Sequence, residues 1–329
     1  MPKSRRHILQ LLAGIAAYQS LPLVHASGQS FPVRPINLFV GFPAGGATDI
    51  TARVVGQQLS EIMGQPVITR NQPGASTVMA TETVSRSAAD GYTLLLIPIS
   101  TAVYSGLRKN LPYNLERDLA PISLVATGPF LLVVNSSVPA HSVKELVALA
   151  QSQPGKINAA SVGVGSAHHL VLELFKAEAK VDVVHVPYKG AAPADLAVAT
   201  GEVQMSFSSA AGALALLKSG KIRALAVTSA KRLSSLPSVP TLGESGLPGF
   251  DYSAWYGIAA PAKVPKSIIM SLNTAIGKAV HGARVEDVLI KQGFEPTSST
   301  PEEFAAIISR EIKRTISVAN AAKLDLKLE

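Results

Sequence analysis

Between residues 36 and 101, short apolar runs alternate with stretches of helical spacing, and this order leaves few folds open. Residues 36–40 (Ile-Asn-Leu-Phe-Val) read as a buried strand. Residues 50–63 carry apolar side chains at 50, 54, 55, 59 and 62, which is the spacing of one helix face. Residues 66–70 read as a second short strand and 75–89 as a helix. Residues 92–97 (Tyr-Thr-Leu-Leu-Leu-Ile) read as a third strand that ends at Ser100 and Thr101. Turns at Asn71-Gln72-Pro73-Gly74 and Asp90-Gly91 separate them. A βαβαβ order predicts an α/β fold with a parallel sheet, and ligands of such sheets sit at the carboxyl ends of the strands.

One such end is Gly41-Phe42-Pro43-Ala44-Gly45-Gly46-Ala47-Thr48-Asp49. Its glycines let backbone approach a ligand closely. Thr48 or Asp49 can cap the helix that follows, and free N–H groups at a helix start favour an anion. The plainer reading is an ordinary strand-to-helix turn. No Lys-Ser/Thr pair follows the glycines, so the stretch is not a P-loop, and the G-x-G-x-x-G spacing of a dinucleotide fingerprint is absent.

Further along, residues 110–119 are irregular and polar, and 122–134 are apolar with an interruption at Gly128-Pro129. That interruption reads as the first crossing into another domain. Ser142 and Glu145 make a capping box for a helix reaching about residue 153. A second turn of similar character follows: a strand at 157–161, the turn Val162-Gly163-Val164-Gly165-Ser166, and a helix at 167–179 with Leu170, Leu174 and Phe175 as its core stripe. This helix start again offers N–H groups, at Ala167 and beyond, together with the Ser161 and Ser166 hydroxyls. His168 is either a half-buried first-turn residue or a ligand contact. His169 reads as structural or exposed.

A strand at 183–186 runs into Pro187-Tyr188-Lys189-Gly190, where Lys189 either meets an anion or stays solvated. A helix at 193–199, a strand at 203–207 ending in Ser208-Ser209, a helix at 214–218 and a strand at 222–228 complete a second α/β unit. Then come a loop with a short helix at 241–245, a returning strand at 251–260 holding Trp255, and a long helix from Pro265. Thr300-Pro301-Glu302-Glu303 joins an N-cap, an N1 proline and a capping-box Glu, so a C-terminal helix is expected. Two α/β units with similar turns imply a cleft between lobes.

Composition narrows the chemistry. The chain of 329 residues has room for two domains, and a hydrophobic content of 47% supports substantial cores. It has no Cys, which excludes disulfides, Cys-based zinc sites, a catalytic thiol and a lipidated N-terminal Cys. His168 and His169 diverge by ~100° on a helix and cannot both face one metal, so neither a metal nor another cofactor is expected. The formal net charge is +8, but Lys and Arg are scattered and aromatics do not interleave with them. Nucleic-acid binding is therefore not expected, whereas a mildly positive field suits an anionic small ligand.

Residues 1–26 read as an export signal. Lys3, Arg5 and Arg6 form a positive start, 8–24 is mostly apolar, and small residues surround a cleavage point after Ala26. The Arg5-Arg6 pair leaves twin-arginine and general export equally open. Removal takes away three positive charges and no acidic ones, so +8 becomes +5. No later apolar run reaches the length of a membrane span, and the processed protein is expected in the periplasm.

Several stretches together resemble one family. They are Pro35-Ile36 with the Gly41-to-Asp49 turn, Asp90-Gly91-Tyr92-Thr93-Leu94, His185-Val186-Pro187-Tyr188-Lys189-Gly190, the Gly220-to-Thr228 run, Pro237 to Thr241, and Ala260-Pro261-Ala262. In order and combination they resemble the Bug family, the TctC-type extracytoplasmic solute-binding proteins of tripartite tricarboxylate transporters. The resemblance implies a type II periplasmic-binding-protein fold: two α/β lobes joined by two crossovers around a ligand cleft. Lobe 1 would hold residues 27–129 and 251–329, and lobe 2 residues 130–250. It implies a small carboxylate ligand, transient contact with membrane transporter subunits, and no catalysis; one cleft per chain is consistent with a monomer.

The ligand-binding set it implies begins with Phe42, Ala44, Gly45, Gly46, Thr48 and Asp49, and Ser100 and Thr101 join it from their place at the end of the third strand. Ser161, Gly163, Ser166, Ala167 and His168 would face them, with Tyr188, Lys189 and Gly190 nearby and Ser208 at the neighbouring strand end. The family often carries an acidic or amide residue at the position of Ser208. Serine there disfavours an amino-acid ligand and favours a plain organic acid. Two other functions are weighed against this one. An extracytoplasmic hydrolase would draw on Ser166 near His168, but Gly163-Val164-Gly165-Ser166-Ala167 lacks the final Gly of a nucleophile elbow. A ligand sensor for a membrane signalling partner would share both fold and site.

Overall fold

The computed structural model describes residues 31–74, 77–108 and 110–321. The expected export signal at 1–26 and the expected helix start at 75–76 lie outside the described residues.

Strands β1 (Ile36–Val40), β2 (Val67–Asn71) and β3 (Thr93–Pro98) run parallel, with β1 in the middle. Ile36, Leu38 and Val40 alternate inward along β1, whereas β3 is buried from Leu94 to Ile97 as a continuous apolar run. That is the pattern of a parallel strand covered on both faces. Helices α1 (Ala47–Met63), α2 (Val78–Ser85) and α3 (Ile99–Leu107) follow these strands in turn.

A short helix α4 (Leu115–Asp118) replaces the irregular segment expected at 110–119. The Asn114 side chain starts it by accepting from the Glu116 and Arg117 N–H groups. Strand β4 (Leu119–Asn135) then runs 17 residues without a break, so Gly128-Pro129 does not end it. After helix α5 (Val143–Ser152) come β5 (Ile157–Ser161), α6 (Ala167–Ala179), β6 (Val183–Pro187), α7 (Ala191–Thr200), β7 (Met205–Ser209), α8 (Ala210–Lys218) and β8 (Ile222–Val227). Strand β5 lies parallel to both β6 and β7.

The returning strand β9 (Ser253–Pro261) inserts between β3 and β4, antiparallel to each. The sheet order is β2-β1-β3-β9-β4-β7-β5-β6. Along β4 the neighbour changes: it pairs with β9 as far as Pro129↔Ser253 and with β7 from Phe130↔Ser209 onward. The two segments that cross here are joined through Thr228, which is fully buried. Its hydroxyl accepts from the Phe130 N–H at 2.9 Å and donates to the Tyr252 carbonyl at 2.5 Å. Its own N–H and carbonyl reach Phe130 O and Tyr252 N.

Helices α9 (Lys266–Val280) and α10 (Ala283–Lys291) and the short β10 (Glu295–Pro296) precede the last helix, α11 (Pro301–Ala321). Thr300 and Glu303 exchange side-chain and backbone hydrogen bonds as the sequence pattern requires. Helix α11 lies over the crossing: Phe304 meets Trp255 edge-on at 5.4 Å, and Arg314 donates to the Asp251 carbonyl at 3.0 Å. The short helix expected at 241–245 is instead a single turn. Thr241 and Glu244 make the reciprocal bonds of a helix start, but Gly246 at φ 106° ends the run. Among the described residues no helix is long and apolar enough to cross a membrane.

Candidate functional site

The first wall is built at the ends of β1, β2 and β3. Helix α1 begins two to three residues earlier than a Thr48 or Asp49 cap would place it. Its N-cap is Gly46, extended at φ −82° and ψ 168°, with no side-chain cap. Asp49 reaches back to accept the Gly45 N–H at 2.9 Å. It is 2% exposed and also accepts from Arg53 at 2.9 Å and Asn71 at 2.8 Å. Asn71, at the end of β2, donates in addition to the Phe42 carbonyl at 3.1 Å and accepts from Arg53 at 3.0 Å. Burial opposes the charge on Asp49, but the bonds from Arg53, Gly45 and Asn71 outweigh it and hold its carboxyl below the usual range.

The turn is therefore fixed from behind. Ala44, Gly45 and Gly46 are exposed, Phe42 is half-buried and Thr48 is buried. The N–H groups of Ala47 and Thr48, at the start of α1, have no carbonyl one turn back within the helix. Gly41 presses against Thr77, whose hydroxyl meets that of Thr101 at 3.0 Å. Thr101 is thus a buried tie between α2 and α3, while Ser100 is half-buried in the first turn of α3.

The second wall is built at the ends of β5, β6 and β7. Ser166 is the N-cap of α6, accepting from the His169 N–H at 3.2 Å and donating to the Gly163 carbonyl at 2.7 Å. Gly163 at φ 130° and Gly165 at φ 74° hold backbone that L side chains adopt only with strain. Ala167 is buried. Ser161 is 1% exposed and its Oγ lies 2.6 Å from His185 Nε2. His168 sets its ring edge-on to Phe130 at 4.7 Å, and its buried Nε2 has no hydrogen-bond partner. Burial pushes His168 down to about 4.

The remaining predicted residues divide. Lys189 is exposed, and Gly190 faces open space at φ 114°. The Tyr188 hydroxyl donates to Glu202, beyond the end of α7, at 2.7 Å. The Ser208 hydroxyl donates to the buried Asp195 at 2.6 Å and contacts Ser206 at 2.8 Å. The hydrogen bonds of Tyr188 and Ser208 are thus made to other side chains of their own half of the sheet. Tyr104 of α3 reaches across to the Val164 carbonyl at 3.5 Å, joining the first wall to the second turn.

Sequence reasoning missed the residues behind the turns: Arg53, Asn71, Thr77, Tyr104, His185 and Asp195. Asn71 was visible only as a turn former, and its bond to Asp49 spans 22 positions that no local pattern reports. Among the described residues no group of His, Asp and Glu is placed to hold a metal.

Two α/β halves on shared central strands, each presenting a glycine-rich helix start at its strand ends, define a two-lobed solute-binding protein. The family described as Tripartite tricarboxylate transporter family receptor matches residues 51–324. Protein BugT of Bordetella pertussis is 37% identical over 317 residues, covering 96% of this chain and 95% of that protein. The chain belongs to the receptor family of tripartite tricarboxylate transporters. Among solved structures, a Rhodopseudomonas palustris protein with adipate matches with a TM-score of 0.79 at 34% identity, covering 89% of this chain and 98% of that one. MatC from the same organism, with bound malate, matches with a TM-score of 0.76 at 31% identity over 88% and 99%. The fold is therefore that of the TctC and Bug periplasmic binding proteins.

Proposed function

We propose that this chain captures a small organic carboxylate in the cleft and delivers it to the membrane subunits of a tripartite transporter. One observation carries the reading. Two helix starts present main-chain N–H groups at the strand ends, and Arg53, beside the first, is already bonded to Asp49 and Asn71. Such a site holds an anion through backbone dipoles, with the remaining polar groups paired by ligand or water when the lobes close. The relatives with adipate and malate support the ligand class.

In this reading the lobes are residues 27–129 with 251–329, and residues 130–250, and closure is a hinge motion at the change of partner along β4. The contacts come from Phe42 to Asp49 on one side and Gly163 to His168 on the other. The processed protein works as a monomer in the periplasm after loss of residues 1–26. A hydrolase is disfavoured because Ser166 is bonded as a helix cap, and Ser161, which meets the half-buried His185, is itself buried.

A thermal-shift screen of residues 27–329, refolded to strip carried-over ligand, tests this. The panel holds malate, adipate, citrate, aromatic acids, acidic and neutral amino acids, and sugars. A ligand at 100 times its Kd adds ~2.7 kcal/mol, so stabilisation confined to carboxylates is expected. Stabilisation only by sugars or neutral compounds would refute the anion site.

A further inference from the structure

Behind the second turn lies a cluster that the binding reading does not use. His169, the third residue of α6, is 4% exposed. Its Nδ1 accepts the Gly165 N–H at 3.1 Å, so Nδ1 carries no proton and the ring proton sits on Nε2. Nε2 faces Glu173 Oε1 at 3.7 Å, one helical turn on, and Lys176 holds the same oxygen at 2.8 Å. Burial works against the charge on Glu173, but the nearby His169 ring and the bond from Lys176 overcome it and hold its carboxyl low.

His185, from β6, stacks flat on His169 with ring centroids 3.8 Å apart and planes 10° apart. Its Nε2 meets Ser161 Oγ at 2.6 Å, and Ser161 Oγ accepts the Gly163 N–H at 3.1 Å. Both left-handed glycines of the turn therefore have their N–H groups tied, directly or through Ser161, to one imidazole pair. The charged and titratable groups acting on the pair are Glu173 and Lys176, and each ring acts on the other. Two cations cannot share a 3.8 Å stack without strong repulsion.

We infer that His169 and His185 are positioning residues for the ligand turn, and that capture requires His169 to be neutral with Nδ1 free to accept from Gly165. Protonating His169 turns that acceptor into a donor facing another N–H. The Gly165 amide then loses its partner, and the left-handed backbone at Gly165 loses one of the bonds that hold the turn. The neutral form binds ligand more tightly, so lowering the pH weakens binding. Burial first, and the neighbouring His169 second, hold His185 at about 4. This inference rests on the receptor reading above, since it concerns the same turn.

The test compares the full processed protein with His169→Asn and His169→Leu. Asn places its carbonyl oxygen where Nδ1 stood and does not titrate; Leu offers no acceptor. Affinity for malate and adipate is measured by calorimetry from pH 8 to pH 5. Wild type is expected to weaken at least tenfold more over this range than His169→Asn, with both similar at pH 8. Titration of the ligand itself affects the two proteins equally and cancels. His169→Leu, checked as folded by its melting curve, is expected to bind at least tenfold more weakly at every pH.

Identical pH profiles for wild type and His169→Asn would overturn the inference, as would full affinity in His169→Leu. A second readout needs no ligand. Nitrogen-15 NMR of the histidine rings is expected to show the Nε2–H form of His169 at pH 8, with the Gly165 amide resonance following its protonation. An Nδ1–H form would overturn the inference. If no carboxylate binds wild type at pH 8, the receptor reading fails, and the NMR result still decides whether His169 holds the turn.

Discussion

Gly46→Val separates the fold from the site. Gly46 is extended at φ −82° and ψ 168°, a conformation open to any residue, and an added Cβ meets only the Pro43 carbonyl at 3.9 Å. The backbone therefore stays where it is. Losing glycine at an N-cap for a β-branched residue costs about 0.5–1 kcal/mol, or roughly 1–2 °C in melting temperature for a chain of this size. The new side chain fills the space over the first N–H groups of α1. If a carboxylate loses two charge-assisted hydrogen bonds there, at about 1.5–3 kcal/mol each, binding weakens by about 3–6 kcal/mol. That is roughly a hundredfold to ten-thousandfold in Kd. Calorimetric titration with the best ligand of the screen, beside a melting curve without ligand, reads both numbers. Gly45→Val is a poorer probe, since Gly45 sits at φ 87° and any side chain strains the turn itself. A folded Gly46→Val protein with wild-type affinity would move the ligand away from the start of α1.

Three further outcomes follow from the geometry. Asn71→Ala removes the bonds to Asp49, Phe42 and Arg53 and is expected to cost about 2 kcal/mol of stability and to loosen binding; unchanged denaturant midpoint and affinity would show that the turn holds itself. Thr228→Val leaves the Phe130 N–H and the Tyr252 carbonyl without their buried hydroxyl partner and is expected to cost about 2–4 kcal/mol, read by urea unfolding, with a loss under 1 kcal/mol refuting the role. His168 and His185 are both held near 4 in the folded chain and return to about 6.5 on unfolding, so the unfolded state binds more protons between those values. Their stabilising contribution is complete above pH 6.5 and lost as pH falls toward 4. His168→Phe is expected to flatten the melting-temperature-against-pH curve in that window, and an unaltered slope would remove His168 as a source.

Much of the local structure was legible because it depends on neighbours in sequence. The strand, turn and helix around Gly41 to Met63 and around Ile157 to Ala179 follow from apolar spacing and glycine. The cap of α1 was misplaced because a carboxylate in the first turn serves two purposes. Asp49 does not cap from outside; it closes the turn from inside by holding Gly45. The turn at 241–245 shows the converse, a complete capping pair with no helix to cap, because Gly246 breaks the run. Gly128-Pro129 looked like a break in a strand and is not one. Gly128 leaves room for the Gly293 carbonyl and the Phe294 ring, and Pro129 falls where β4 exchanges one neighbour for another. The ties that fix the candidate site, Asn71 to Asp49 and His185 to Ser161, join positions 22 and 24 apart through tertiary packing. No window of helical or strand period contains them.

The place of β9 governs when the protein can finish folding. The strand sits between β3 and β4, so those two strands have no shared partner until residue 261 has been made. Helix α11, which covers the crossing, ends still later, at Ala321. Until β9 has been made, the facing edges of β3 and β4 stay unpaired, although both strands have been made by residue 135. Such late, long-range closure is slow. It leaves two open strand edges on the growing chain, and unpaired edges of this kind favour aggregation.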